Sequence, residues 1–474
     1  MFSSLEQAKK YCIEHQVKMI DFKMVDLFGR WHHLTIPAGR LTKETLKSGI
    51  GFDGSNYGFA PIEKSDMVFI PDLSSAFMEP FTKVPTLSMI GDVYVTGDTP
   101  QRFEQDPRAV AHKAEEYMKS TGIADLMKTG PEFEFYIFDR VSYEVSPNSC
   151  GFNIDSEEAD WNSNLEGNLG YTMPLHGGYH AVQPHDTLHD LRSEVCLLLE
   201  ERGVEIKYHH HEVGGPGQLE IEVISGPMLE MADKTMIVKH IARNAAAAKS
   251  KSATFMPKPL FGEAGNGMHV HMHLFKNGEP IFYNKEGYSG LSDDALYFIG
   301  GLLTHASSLC ALTNPSSNSY KRLVPGYEAP VNICFATGNR SAVIRIPDYA
   351  KAPKTKRFEL RNPDATCNPY YAYAAILMAG LDGIKKKIDP TKAGFGPYDV
   401  NLYKLSKEEQ EKIKSLPKSF DEALAALETD FDYLLEGEVF TKRLLDIWIE
   451  KKREEIDHLS QVPHPAEFGL YYDL

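Results

Sequence analysis

Pro131-Glu132-Phe133-Glu134-Phe135-Tyr136-Ile137 alternates acidic and apolar residues. Successive side chains of an extended strand point to opposite faces, so Glu132 and Glu134 share one face and Phe133, Phe135 and Ile137 the other. Three more stretches read the same way. Gln218-Leu219-Glu220-Ile221-Glu222-Val223 sets polar against apolar groups. Met268-His269-Val270-His271-Met272-His273-Leu274 lines histidines along one face. Arg357-Phe358-Glu359-Leu360-Arg361 alternates charge with Phe and Leu, and Arg345 sits between Ile344 and Ile346. Taken singly, each is a solvated face of an antiparallel sheet. Solvated faces favour Lys, Thr, Ser and Gln; these carry Glu, His and Arg. Together they read as the wall of one cavity, with carboxylates in one part and cations in another.

Carboxylates crowded in such a cavity cannot all ionise without a counter-charge, because repulsion raises their pKa values. A divalent metal supplies that charge. Glu oxygens with a few His nitrogens and no Cys point to Mg²⁺ or Mn²⁺ rather than structural Zn²⁺. Metal beside arginines suggests phosphoryl transfer. Gly262-Glu263-Ala264-Gly265-Asn266-Gly267 leads into the histidine strand and allows close backbone approach. It lacks the GK[ST] of a Walker A loop. Gly214-Gly215-Pro216-Gly217 reads as a turn that sets Glu212 and Glu220 on neighbouring strands. In His209-His210-His211 only alternate residues share a face.

The chain has 474 residues, 42% apolar and 24% charged, with a net charge of −16. Length suggests about three domains, or two with one large. Composition excludes a disordered or fibrous chain, and the negative charge argues against nucleic acid and anionic membranes as partners. The six cysteines form no CxxC pair and read as reduced thiols. No signal peptide or spanning segment is evident, so a soluble, cytoplasmic protein is expected.

A short helix over 1–16 and a hairpin over 18–26 and 31–36 open the chain. Short strands over 67–70, 86–90 and 92–95 follow. The punctuation Gly97-Asp98-Thr99-Pro100 places a boundary near residue 100. Helices are predicted over 107–121, 187–202, 228–248, 292–312, 368–384, 405–415 and 437–456, with a surface excursion over 141–176. The fold class is α+β: a first domain over 15–100 and a larger one over 106–474.

The motifs together resemble type I glutamine synthetase. They are Phe52-Asp53-Gly54-Ser55, Glu132-Phe133-Glu134, His209-His210-His211-Glu212-Val213, Lys258-Pro259 through Gly267-Met268-His269, Lys321 through Pro330, Asn339-Arg340-Ser341, and Arg357 through Arg361. The resemblance runs from about residue 15 to the end. It implies an N-terminal β-grasp domain and a catalytic domain whose antiparallel sheet forms a funnel. It implies a ligase that uses ATP to join ammonia to L-glutamate through γ-glutamyl phosphate, with two or more Mg²⁺ or Mn²⁺ sites.

Carried over by residue, one metal site is Glu134, Glu212 and Glu220 and the other Glu132, His269 and Glu359. Glutamate would meet Ala264, Gly265, Arg322, Glu328, Arg340 and Arg361. ATP would meet Lys207, His271, His273, Arg340, Arg345, Lys354 and Arg357. Asp53, Glu328 and Arg340 would be catalytic: Asp53 takes a proton from ammonium, the Glu328 loop closes over the intermediate, and Arg340 neutralises the transferring phosphate. Tyr403 aligns with a tyrosine that some members have adenylylated. The family assembles as a dodecamer of two hexameric rings with active sites shared between subunits.

Ser55-Asn56, Ala264, His273 and Lys207 depart from the family pattern. The family carries Asn where this chain has Ala264, and Asn266 is the candidate to reach glutamate in its place. Three alternatives are a ligase for larger amines, such as a γ-glutamylpolyamine synthetase, a catalytically silent partner protein, and a two-metal hydrolase, which would not explain the arginine cluster or the Glu328 loop. Asp53 suits a small cation, against the first, and the full ligand set argues against the second.

Overall fold

The ten-residue strand Thr86–Val95 is the spine of the first sheet. The computed structural model describes residues 2–58, 65–97, 101–325, 329–400, 402, 406–410 and 412–472. The strands run in the order Trp31–Pro37, Met19–Val25, Thr86–Val95, Asp66–Pro71, Ile50–Asp53, with Phe77–Met78 and Gln101–Arg102 also paired to the spine. Met19–Lys23 lies parallel to Thr86–Ile90, and the other pairings are antiparallel. The stretches expected as two strands, 86–90 and 92–95, are therefore one. Gly91 permits this: a Cβ there would stand 2.2 Å from the Ile70 carbonyl oxygen. Helix Leu5–Glu14, capped by Ser4, packs Leu5 and Ala8 with Ile20, Phe22, Phe69 and Leu87.

The second sheet runs Ile206–His211, Gln218–Val223, Leu126–Phe138, Val270–Lys276, Phe358–Leu360, Ala342–Ile346, Asn332–Thr337. It is antiparallel along this path except at the Asn332–Thr337 edge, which pairs in parallel with Ala342–Ile346. Phe133, Phe135, Leu219, Ile221, Val270 and Met272 are fully buried in one core with helices Met228–Ala248 and Pro369–Lys386. Burying such side chains contributes about 1.5–3 kcal/mol each. That burial turns the opposite, polar faces of the same strands toward the cavity.

Three helix expectations need correction. The helix over 292–312 is two helices, Asp293–Thr304 and Ala306–Thr313, bent by 75°. The joint is His305, whose ring is held by Asp382 at 3.0 Å and Asp430 at 2.9 Å. The helix over 405–415 is described only as Lys407–Gln410. Residues 414–416 hydrogen-bond instead to Ile333 and Val331 at the sheet edge. The helix over 437–456 begins at Lys442, where Thr441 caps it, and runs to Ser460. The 141–176 excursion starts as a separate hairpin, Arg140–Ser146 with Ser149–Asp155. Among the described residues no single helix is long and apolar enough to cross a membrane. All six cysteines are free.

Arg108 joins the two sheets. It lies in helix Pro107–Ser120 and is buried. Its guanidinium donates to Asp72 (2.7 Å) and Asp92 (3.0 Å) beside the first sheet and to Asp233 (3.1 and 3.0 Å) on the long helix behind the second. Removing one partner of a buried ion group strands the others. Arg108→Met should therefore lower stability by about 3–5 kcal/mol, read as a fall in the urea midpoint. An unchanged midpoint would show that the junction does not depend on this cluster.

Candidate active site

Register places the charges. Glu134 lies opposite Glu220 and Glu132 opposite Glu222, while His210 faces Glu220 from the edge strand. On the other flank Glu359 lies opposite both His271 and Arg345. The polar face borders a cavity of about 530 Å³. Glu132, Glu134, Glu212, Glu220 and His269 line one part, and Arg322, Arg340, Arg345 and Arg361 another.

The acids fall into two electrostatic groups. In the first, His271 Nε2 lies 2.7 Å from Glu132 and 3.0 Å from Glu359, and His269 Nδ1 lies 2.8 Å from Glu132. Arg345 and Arg361 both donate to Glu359, at 2.9 and 2.8 Å. Burial would raise these carboxyls, but the neighbouring histidines hold Glu132 well below the usual range. His271 and Arg361 likewise hold Glu359 down at about 2. In the second group, Glu134, Glu212 and Glu220 make no ion pair with lysine or arginine among the described residues; His269 and His210 lie 3.7 Å from Glu134 and Glu220. Burial, then Glu134 and Glu220, pushes Glu212 up to about 9. Burial, then Glu132 and Glu134, raises Glu220 well above the usual range.

The arginine side depends on glycine. A Cβ at Gly265 would stand 2.8 Å from the Arg322 side chain, and one at Gly267 2.4 Å from its guanidinium. Arg322 is buried, its pKa lowered by that burial, and donates to the carbonyls of Arg361 (3.1 Å), Asn362 (2.8 Å) and Pro363 (3.3 Å). Among the described residues the buried Nε–H groups of Arg345 and Arg361 have no hydrogen-bond partner. Unpaired donors beside a cavity suit a carboxylate or phosphate.

Two family models cover the chain: the glutamine synthetase beta-grasp domain over residues 16–96 and the glutamine synthetase catalytic domain over 104–471. The chain belongs to the glutamine synthetase family. The glutamine synthetase of Frankia alni is 47% identical, with all of both chains covered. That of Aquifex aeolicus is 48% identical over 97% of this chain and 96% of its own. The solved Plasmodium falciparum glutamine synthetase superposes with a TM-score of 0.89 at 29% identity, covering 99% of each chain. The α+β class, with a β-grasp domain first, follows. The larger-amine and silent-partner alternatives are not favoured by these matches.

The family implies ATP and a divalent metal, and the donor set fits: carboxylate oxygens and imidazole nitrogens, crowded until they repel. The potential ligand atoms that lie within 4.8 Å of one another group differently from the sequence expectation, however. They are Glu132, His271 and Glu359, and His210, Glu212 and Glu220. His271 is directly opposite Glu359, whereas His269 lies beyond the paired residues and sits between Glu132 and Glu134, 3.7 Å from the latter. Glu134 accepts the Gly267 N–H at 2.6 Å.

Several expected residues lie elsewhere. Asp53 is exposed, accepts hydrogen bonds from Ser55 and Asn56, and does not line the cavity. Those bonds, the Ser55 hydroxyl first, lower its pKa. Lys354 is exposed outside the cavity, and Lys207 pairs with Glu222 at 2.5 Å. Arg357 donates to His271 at 3.3 Å. His273 is buried, with neither ring nitrogen partnered among the described residues, and burial, then Lys128 and Arg357, pulls it down to about 3. Asn266 cannot stand in for the family's Asn at Ala264. It is fully buried, with its amide spent on Gln218 and the Met256 carbonyl. Glu328 and Tyr403 lie outside the described residues.

Sequence reasoning missed His210, Tyr208, Gln218, Tyr179 and His176 in the cavity wall. Strand parity offered Gln218, which shares a face with Glu220, and the alternation of His209-His210-His211 allowed His210. Tyr179 and His176 come from irregular chain and had no pattern to mark them. Gln218 supports the glycine loop, donating to the Gly265 carbonyl and to Asn266, both at 3.0 Å.

The raised Glu212 gives a pH prediction. Between the usual carboxyl value of 4.5 and about 9, the folded chain holds more protons at this site than the unfolded one. Stability in chelator should then fall as pH rises through that window. Glu212→Gln should flatten the fall, and millimolar Mg²⁺ should oppose it. Urea midpoints across the window test this, and a rise with pH that Glu212→Gln leaves unaltered would contradict it.

Proposed function

We propose that this chain joins ammonia to L-glutamate at the expense of ATP, releasing L-glutamine, ADP and phosphate, and so assimilates nitrogen. One observation carries the reading: a single cavity with a carboxylate cluster on one side and buried, unsatisfied arginine donors on the other. The γ-carboxylate has no adequate leaving group until ATP phosphorylates it. Ammonia then displaces phosphate from γ-glutamyl phosphate.

Mg²⁺ or Mn²⁺ would be held by Glu134, Glu212 and Glu220 and by Glu132, His269 and Glu359, where it would neutralise phosphate oxygens. Arg322 and Arg361 bind the glutamate carboxylates, with Gly265 and Ala264 offering backbone. Arg340 spans both substrates and balances charge on the transferring phosphate. His271, His273, Arg345 and Arg357 face the nucleotide, with Lys354 and Lys207 at its margin. Asp53 draws in ammonium and takes its proton, since only neutral NH₃ has the lone pair to attack. Glu328 closes over the acyl phosphate and excludes water. Tyr403 is a site for modification. Residues 15–100 serve as the β-grasp domain and 106–474 as the catalytic domain, in a cytoplasmic enzyme.

The assembly is a dodecamer of two hexameric rings, each site shared by two subunits. Asp53 supports this, being exposed and away from its own chain's cavity. The hairpin supports it too: Tyr143 and Phe152 are paired on it, 82% and 63% exposed, with Val141 and Val145 beside Tyr143. A large exposed apolar face is a contact surface.

The direct test is γ-glutamyl hydroxamate formation with ATP, run with ammonia and polyamines as competitors. Activity should need a divalent metal and vanish in chelator, and ammonia should compete where polyamines do not. Metal-independent turnover would overturn the assignment of the acids.

Subunit sharing is tested by refolding Asp53→Ala and Glu359→Ala chains together. Each is inactive alone. Random placement gives both intact halves to about a quarter of the head-to-tail interfaces. Activity should recover toward that fraction of an equally refolded wild-type control. Mixed rings that form but stay inactive would place Asp53 in its own chain's site.

A further inference from the structure

A second cavity, of about 710 Å³, lies apart from the catalytic one. The helix Met228–Ala248 contributes Lys239 and Arg243 to it, the Phe28–Trp31 turn contributes Arg30, and the C-terminal helix contributes Lys452 and Glu455. In a chain of net charge −16 this is a concentration of cations. Glu455 is the lining carboxylate, and it is taken by Lys452 at 2.9 Å. His240, also in the wall, is held by Glu79 at 3.0 Å.

The other cations make no ion pair among the described residues. Lys239 is 6% exposed, and its ammonium donates to the Ala365 carbonyl at 2.8 Å, a neutral acceptor. Arg243 places its guanidinium over the Phe255 ring at 5.5 Å. Among the described residues neither Lys239, Arg243 nor Arg30 makes an ion pair. A buried ammonium costs several kcal/mol unless a negative group compensates it. Burial, then Arg243, pulls Lys239 down to about 8, and Cys367 and Asp364 offset this only in part. The site is not part of the glutamate machinery, although Met256 and Pro257 in its wall hold Asn266 of the glycine loop from behind.

We propose that this cavity is a second ligand site, for a small organic anion of two or more negative charges bound by Lys239, Arg243 and Arg30. A polycarboxylate and a phosphate ester share this chemistry, and the cavity has room for either with a short carbon body.

Calorimetric titration of the full-length protein in metal-free buffer tests it, with tricarballylate and glycerol 3-phosphate as separate probes. At least one should bind wild type. Arg243→Gln should weaken that probe about tenfold, the effect of removing one charge-assisted hydrogen bond. Lys239→Gln should weaken it at least as much, with its melting curve checked because the site is buried. Arg243 is exposed, so its variant tests the site even if Lys239→Gln does not fold. Arg340→Ala, altered in the catalytic cavity, should bind as wild type does. The proposal fails if neither probe binds at millimolar concentration. It fails equally if binding survives Arg243→Gln, or if it disappears in Arg340→Ala, which would return it to the catalytic cavity.

Discussion

Strand pairing sets Glu134 opposite Glu220, and Glu212, just past the end of the edge strand, is brought beside them by its N–H bond to the Gln218 carbonyl, although the three repel. Among the described residues none of the three makes an ion pair with lysine or arginine. The apolar faces of the same strands are buried in the main core, so the acids cannot turn away without exposing Phe133, Phe135, Leu219 and Ile221. Burial of that core fixes a charge arrangement that is unfavourable by itself. A cation can relieve it, which is why such a cluster suits metal-assisted phosphoryl chemistry.

The opposite side of the cavity is balanced differently. Glu359 is shared by Arg345, Arg361 and His271, so its charge is satisfied from within. The arginines that pair with it keep buried Nε–H groups free for a ligand anion. Arg322 reaches the same region only because Gly265 and Gly267 leave it room. One acid thus orients the donors on one flank, while the acids on the other are left for cations.

The first sheet contributes by position. Arg108 ties it to the helix behind the catalytic sheet through Asp72, Asp92 and Asp233. Asp53 stays exposed at the end of a short strand, turned to solvent rather than to its own chain's acids. In the proposed assembly, a residue expected to handle ammonium would thereby be available to a neighbouring copy, with the exposed apolar hairpin as a second contact surface.

Strand alternation was legible because it is local: period two alone put Glu132 with Glu134 and Glu220 with Glu222, and the buried partners were as expected. The family motifs made the chemistry legible as well. Long helices with continuous apolar spacing, such as 228–248, were also readable. Other features depended on partners distant in sequence. His305 breaks a helix because Asp382 and Asp430 reach it, and residues 414–416 join a strand about 80 residues earlier in place of a helix. His271 rather than His269 meets Glu359 because of cross-strand register, which spacing within one strand cannot specify. Asn266 turns inward because Gln218 and Met256 satisfy its amide. The sequence by itself determined which residues share a face and which chemistry they suit, since both follow from neighbours along the chain. Only the tertiary structure decided which charges are paired and which are left to a ligand, since that depends on contacts between strands and loops far apart in sequence.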